Sequence, residues 1–272
     1  MNLQRRVYKT FNYGKIFGYQ RNQSEIQQWL ISPTKTDLSS YKKIKFPKIS
    51  KRELSVKQEK NKISQNKKHL VATLISPLMY FPFILFIGLT GSVAANNAKI
   101  QDDLDIFIIT SPGTLWIIRP FVLFYLSLLK VRRRRSTDKK SVKNLVCPNL
   151  WLDVKNLPIN KNQQNLYTAH EVLLVVPLIN KNHTYEKFIF QNSWVKKYLA
   201  NAYKHKINSL SKVERDISSN SFLANPLNIL FFLVQYLFML PRITTEKVSL
   251  GAAFFHKVNY QKIISQKLFQ KL

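Results

Sequence analysis

The chain has a single cysteine, Cys147, in 272 residues, which excludes an internal disulfide framework and fits a reducing compartment. Acidic side chains are scarce too: 14 Asp and Glu stand against 43 Lys and Arg, a formal charge of +29. So large an imbalance points to a polyanionic partner, whether nucleic acid, nucleotides or an anionic membrane surface. The excess is mostly Lys, however, and comes with many Asn and Ile, a bias that genomic nucleotide composition can produce unaided. The opening stretch, MNLQRRVYKTFNYGKIF, lacks the apolar core of a secretory signal, so a cytoplasmic location is expected.

Also missing is an uninterrupted membrane span. Residues 70–90 carry no charge and are long enough to cross a bilayer, but Pro77 and Pro82 interrupt them and the run passes directly into Gly91-Ser92. The apolar run 115–131 contains Arg119 and Pro120, while 227–240 is too short and stops at Pro241. All three therefore read as buried core, and a membrane partner is not expected. A helix over 67–80 followed by a strand over 83–89 suits the first run, because a residue preceding proline avoids helical geometry.

What is present is apolar content of 45%, enough for substantial cores in one large domain or two to three small ones. Three regions are expected: a basic helical appendage and linker over 1–66, a core over 67–160, and a helical domain over 161–272. In the first, Tyr8, Phe11, Ile16 and Phe17, then Ile26, Trp29, Leu30 and Ile31, space as two short amphipathic helices with Ser24 as a cap. They suit either a winged-helix remnant or a packing appendage. Residues 33–68, rich in Lys, Ser, Asn and Gln, read as a linker or a mobile hairpin.

The core reads strand, helix, strand, helix, strand. An apolar strand over 83–89 meets Gly91-Ser92, a short helix reaches Ala98, and a second apolar strand covers 104–110. Asp103 and Asp105 open that strand two residues apart and so share a face. Two like charges so placed call for a cation between them, a divalent metal such as Mg²⁺. A helix from Thr114 into the basic cluster 132–135 follows, then a third strand over 144–153, which Pro148 demotes towards an edge.

Gly91-Ser92, ten intervening residues, then Asp103-Leu104-Asp105 followed by Ile106, Phe107, Ile108 and Ile109, resembles the nucleotidyltransferase superfamily of DNA polymerase β type. The resemblance implies an α+β fold, a small mixed sheet with flanking helices. The N-terminal appendage would be winged-helix-like and the C-terminal domain helical. It also implies an NTP substrate held at Gly91 and Ser92, and Mg²⁺ or Mn²⁺ held by Asp103 and Asp105. A third acidic residue on a later strand completes such sites. Asp153 is the candidate, sharing a face with Asn149 and Trp151 if its strand is regular. The implied reaction moves a nucleoside monophosphate to a hydroxyl acceptor. The alternatives are a catalytically inactive nucleic-acid-binding protein that uses the basic surface, or a membrane-associated one.

Beyond the core the chemistry is less specific. A helix over 165–176 would have Thr168 as cap and His170-Glu171 in its first turn, but Leu174 stands where a zinc-protease helix needs its second histidine. The pair therefore reads as a polar helix start over the core or as a substrate contact. Phe188, Trp194 and Tyr198 form a stripe that suits packing more than base stacking. Asn225 and Pro226 start an apolar helix to Leu240, expected at the centre of a C-terminal bundle, with Gln235 needing a buried partner. Arg242, Glu246 and His256 follow it, without a readable role.

Overall fold

A computed structural model of the chain describes residues 2–41, 43–133, 142–210, 225–244, 246–255 and 260–269. Helices α1 (Leu3–Ile16), α2 (Gln23–Gln28) and α3 (Lys51–Ile75) precede strand β1 (Ile84–Leu89). A single helical turn, α4 (Gly91–Ala94), leads to β2 (Leu104–Thr110), and α5 (Leu115–Leu128) leads to β3 (Val146–Asp153). There follow α6 (Leu166–Leu174), β4 (Val176–Asn180), α7 (Thr184–Gln191), α8 (Lys196–Asn208), α9 (Pro226–Met239), β5 (Lys247–Ser249), β6 (Ala252–Phe254) and α10 (Tyr260–Phe269). The protein is mixed α/β, with one six-stranded mixed sheet in the order β4-β1-β2-β3-β6-β5. Only β2 and β3 pair in parallel among the described strands; the other neighbours are antiparallel.

The apolar runs of β1 and β2 exist because both faces of the sheet are covered. Phe107 and Ile109 join Phe86 and Leu152 in a core beneath α6, α7 and α8. Leu104, Ile106 and Ile108, one residue out of phase, join Ile84, Ile87 and Trp151 beneath α3 and α5. No described helix is long and apolar enough to cross a membrane.

Several elements depart from the sequence expectations. Among the described residues 2–66 there is no strand of the sheet and hence no wing hairpin; α1 and α2 close a small core of Val7, Phe11, Ile26, Leu30 and Leu38. Asn22, not Ser24, caps α2, in a reciprocal box with Glu25. Much of the expected linker is α3, started by a matching Ser50–Glu53 box and anchored at its far end by buried Val71 and Ile75. Segment 161–272 is not helical throughout, since it supplies β4, β5 and β6 to the two edges of the sheet. Asn165 rather than Thr168 caps α6, and the chain beyond Leu174 turns into β4, where Pro177 sits on an edge strand that tolerates it.

Pro148 lies in an interior strand after all. Strand β6 pairs with β3 only over Leu150–Leu152, and the β2 register slips between Ile106 and Phe107, so the missing N–H falls where the ladder is already broken. A second proline explains how α9 docks. Pro120 inside α5 cannot donate to the Trp116 carbonyl four residues back, and Gln235 Nε2 donates to that carbonyl instead, at 2.6 Å. Asn228 Oδ1 accepts from the Trp116 N–H at 2.8 Å. Gln235 thus finds the buried partner it needs, but α9 is no central helix: its outer face is exposed.

Candidate functional site

Asp103 and Asp105 have the phase of Phe107 and Ile109, so they project from the sheet on the α6 side, at the start of β2. Among the described residues, Asp103, Asp105 and Cys147 each offer a ligand-type atom, all within 4.8 Å of one another. Cys147 arrives there because it is the register partner of Asp105 on β3. Asn149 follows at the register slip, donating from Nδ2 to Asp105 Oδ1 at 2.7 Å. Its own Oδ1 is buried and has no hydrogen-bond partner, an orphan carbonyl beside two carboxylates.

The Gly-Ser turn lies against the same carboxylate. Gly91 has φ +66°, and a Cβ there would meet Asp105 Oδ2 at 2.7 Å. Glycine is required twice over at this position, by backbone conformation and by close approach. Ser92 is engaged otherwise: its hydroxyl donates to Asp102 Oδ2 at 2.7 Å, which also accepts from the Lys99 N–H and so closes the loop before β2. Lys67 Nζ reaches from α3 to the Asp102 carbonyl at 2.7 Å, tying that loop to the helix.

Asp153 is not brought to this group. It is the register partner of Thr110 while Cys147 partners Asp105, so it lies five residues further along, about 17 Å at about 3.3 Å per residue. The register slip near Asn149 also inverts its phase, placing it with Trp151 rather than with Asp105. There its carboxylate accepts from the Gly113 N–H at 2.5 Å and the Lys155 N–H at 2.8 Å, fixing the turn before α5. A regular strand would have kept it on the Asp105 face, but at the far end all the same.

The carboxylates open into a cleft of about 1740 Å³ that reaches from α1 and α2 to α5 and α9. Burial, and then the charge of Asp103, raises Asp105 to about 7. Glu171 on α6 also lines the cleft and is raised to about 7, by burial first and by Asp105 second. Burial beside Asp105 pushes the Cys147 thiol up to about 12, so it stays protonated at neutral pH. Positive charge comes from Arg133, which sits beside the start of β3 and forms an ion pair with Asp103, while Arg119 on α5 reaches Gln235 Oε1 at 2.8 Å. Arg119 is lowered to about 10 by burial and by Arg132.

At the far end of the cleft His170 is buried between Tyr13 and Trp29, with ring centroids at 4.0 and 5.5 Å. Its Nδ1 lies 2.9 Å from the Leu166 carbonyl, which can only accept, so the proton sits on Nδ1 and the partnerless Nε2 is a bare acceptor. Burial and Arg21 hold this imidazole neutral. The sequence-level reading of His170 as part of a helix start over the core is thus accompanied by a free acceptor atom at the cleft wall. Phe188 is core beneath the sheet, and Trp194 packs edge-on to Tyr198, so that stripe stacks on protein. His256 lies outside the described residues.

Sequence reasoning missed Cys147, Asn149 and Arg133. The signal for the first two was the proline between them, which marks a break in the ladder. No protein-family model, curated protein or solved structure matches the chain.

Proposed function

We propose that the chain is a nucleotidyltransferase, moving a nucleoside monophosphate from an NTP to a hydroxyl acceptor. One observation carries the reading: a carboxylate pair at a strand start, pressed against a positive-φ Gly-Ser turn, at the floor of a cleft large enough for a nucleotide and a second substrate. That placement supports a nucleotidyltransferase-like arrangement of β1, α4 and β2.

The donor set fits a divalent ion. Asp103 and Asp105 supply carboxylate oxygens and the orphan Oδ1 of Asn149 a third oxygen, with the Cys147 sulfur beside them. Oxygen donors suit Mg²⁺ or Mn²⁺. When bound, such an ion neutralises charge on the transferring phosphate. The chain's own contribution is positioning. Gly91 lets the backbone approach Asp105 directly, and Arg133 beside Asp103 brings positive charge to the same end of the cleft. In the reaction the acceptor oxygen bonds to the α-phosphorus and the bond to the bridging oxygen breaks. Pyrophosphate leaves with the electrons of the broken bond, and the acceptor's proton is released to solvent, its loss favoured by the nearby carboxylates.

Incubation with labelled NTPs and Mn²⁺ or Mg²⁺, scored for nucleotide binding and pyrophosphate release, tests the reading. Activity lost in Asp105→Asn and kept in Asp153→Asn supports it; neither binding nor release removes it. A second reading, an inactive fold used to bind nucleic acid, is favoured by Arg133 occupying Asp103 and by the +29 charge. Salt-sensitive RNA or DNA binding that ignores both aspartates and metal identifies that case.

A further inference from the structure

We propose that the adjoining outer faces of α5 and α9 form a docking surface for an anionic phospholipid bilayer, on which the protein lies without crossing. This inference stands on the exterior of the molecule and is independent of the transferase reading. Phe121, Phe124 and Leu128 repeat at helical spacing on α5 and point outward, Phe124 and Leu128 being 69% and 68% exposed. On α9, which packs beside α5 through Asn228 and Gln235, Leu230, Val234 and Leu237 do the same, at 56%, 62% and 66%. At on the order of 150–200 Å² per side chain, these six expose on the order of 600 Å² and their apolar neighbours add more, at or beyond the largest patch of an ordinary monomer.

Charge decides the occupant. Helix α9 has no charged side chain, and α5 has only Arg119, which is turned inward to Gln235. Lys130 is exposed just beyond α5, and the chain carries 43 basic against 14 acidic side chains. An apolar face on so basic a molecule matches the interfacial pattern, in which side chains enter the acyl boundary while cations meet anionic head groups. A second copy of the chain would instead set one +29 molecule against another. At 14 residues α9 is about 21 Å long, too short to span about 30 Å of hydrocarbon but suited to lying flat. Phe238 belongs to this exposed face and also lines the cleft, so docking would bring the cleft mouth to the lipid surface.

The test is co-sedimentation of the full chain with vesicles of phosphatidylcholine alone or mixed with phosphatidylglycerol, at low and high salt. Wild type should sediment with the mixed vesicles, more weakly with the neutral ones, and keep part of its binding at high salt. Phe124→Glu with Leu237→Glu should lower the apparent affinity by about tenfold or more. The neutral pair Phe124→Ser with Leu237→Ser should also weaken binding, and its unchanged thermal unfolding would show that the fold is intact. Wild type remaining in the supernatant with both vesicle types overturns the proposal. So does binding that both variants leave unaltered, or a lipid-free dimer that both variants dissolve.

Discussion

Replacing Gly91 with alanine should damage the protein in two separable ways. A φ of +66° costs a side-chain-bearing residue about 1–2 kcal/mol, and the new Cβ would sit 2.7 Å from Asp105 Oδ2. The carboxylate cannot swing aside freely, because Asn149 Nδ2 holds its other oxygen at 2.7 Å, so relieving the contact should cost about a further 1–2 kcal/mol. Asp105 Cβ lies 3.5 Å from the same point, an ordinary contact, so truncating Asp105 to alanine removes only the second penalty. Urea unfolding of wild type, Gly91→Ala, Asp105→Ala and the double variant measures the coupling. Gly91→Ala should cost about 2–4 kcal/mol in the wild type but about 1–2 in the Asp105→Ala background. Equal costs in both would refute the close approach of turn and carboxylate, and with it the geometry on which the transferase reading stands.

Asp105 and Glu171 both bind protons more tightly in the folded chain, at about 7 against their usual 3.8 and 4.5. Between those values the unfolded chain has released protons that the native state retains, so stability should fall as pH rises from about 4 to about 7. Denaturant midpoints across that range should flatten in Asp105→Asn, and an unchanged slope would count against the buried pair. Asp153→Ala should lose about 1–3 kcal/mol by stranding the Gly113 and Lys155 N–H groups, yet leave Mn²⁺ binding by calorimetry unaltered. Gln235→Leu should cost about 1–3 kcal/mol, since the Trp116 carbonyl loses its replacement donor, and changing Pro120 to alanine in addition should recover part of that loss.

Much of the strand framework could be read directly. The runs 84–89 and 104–110 are apolar because a sheet covered on both faces needs such strands, and the aspartates at the start of the second are conspicuous where apolar residues are expected. The caps were harder: Asn22 and Asn165 compete with nearby Ser24 and Thr168, and only backbone geometry decides which oxygen meets a free N–H. Helix α3 was hidden by its composition. Its lysine-rich, polar first half faces solvent, and burial at Ser64, Lys67, Val71 and Ile75 anchors the rest.

By itself the sequence determined the charge, the apolar strands, the Gly-Ser turn and the phase that puts Asp103 and Asp105 on one face. These follow from local rules of period, conformation and composition. Tertiary structure alone decided what stands opposite the pair. One slip of register beside Pro148 brings Asn149 to Asp105 and sends Asp153 to the other face, because side-chain direction alternates along a strand and an extra residue reverses it; the parallel pairing itself sets Asp153 at the far end. It also decided that α9, apolar on nearly every side, lies on the surface: a helix's periodicity says which faces are apolar, but only its neighbours say which are covered.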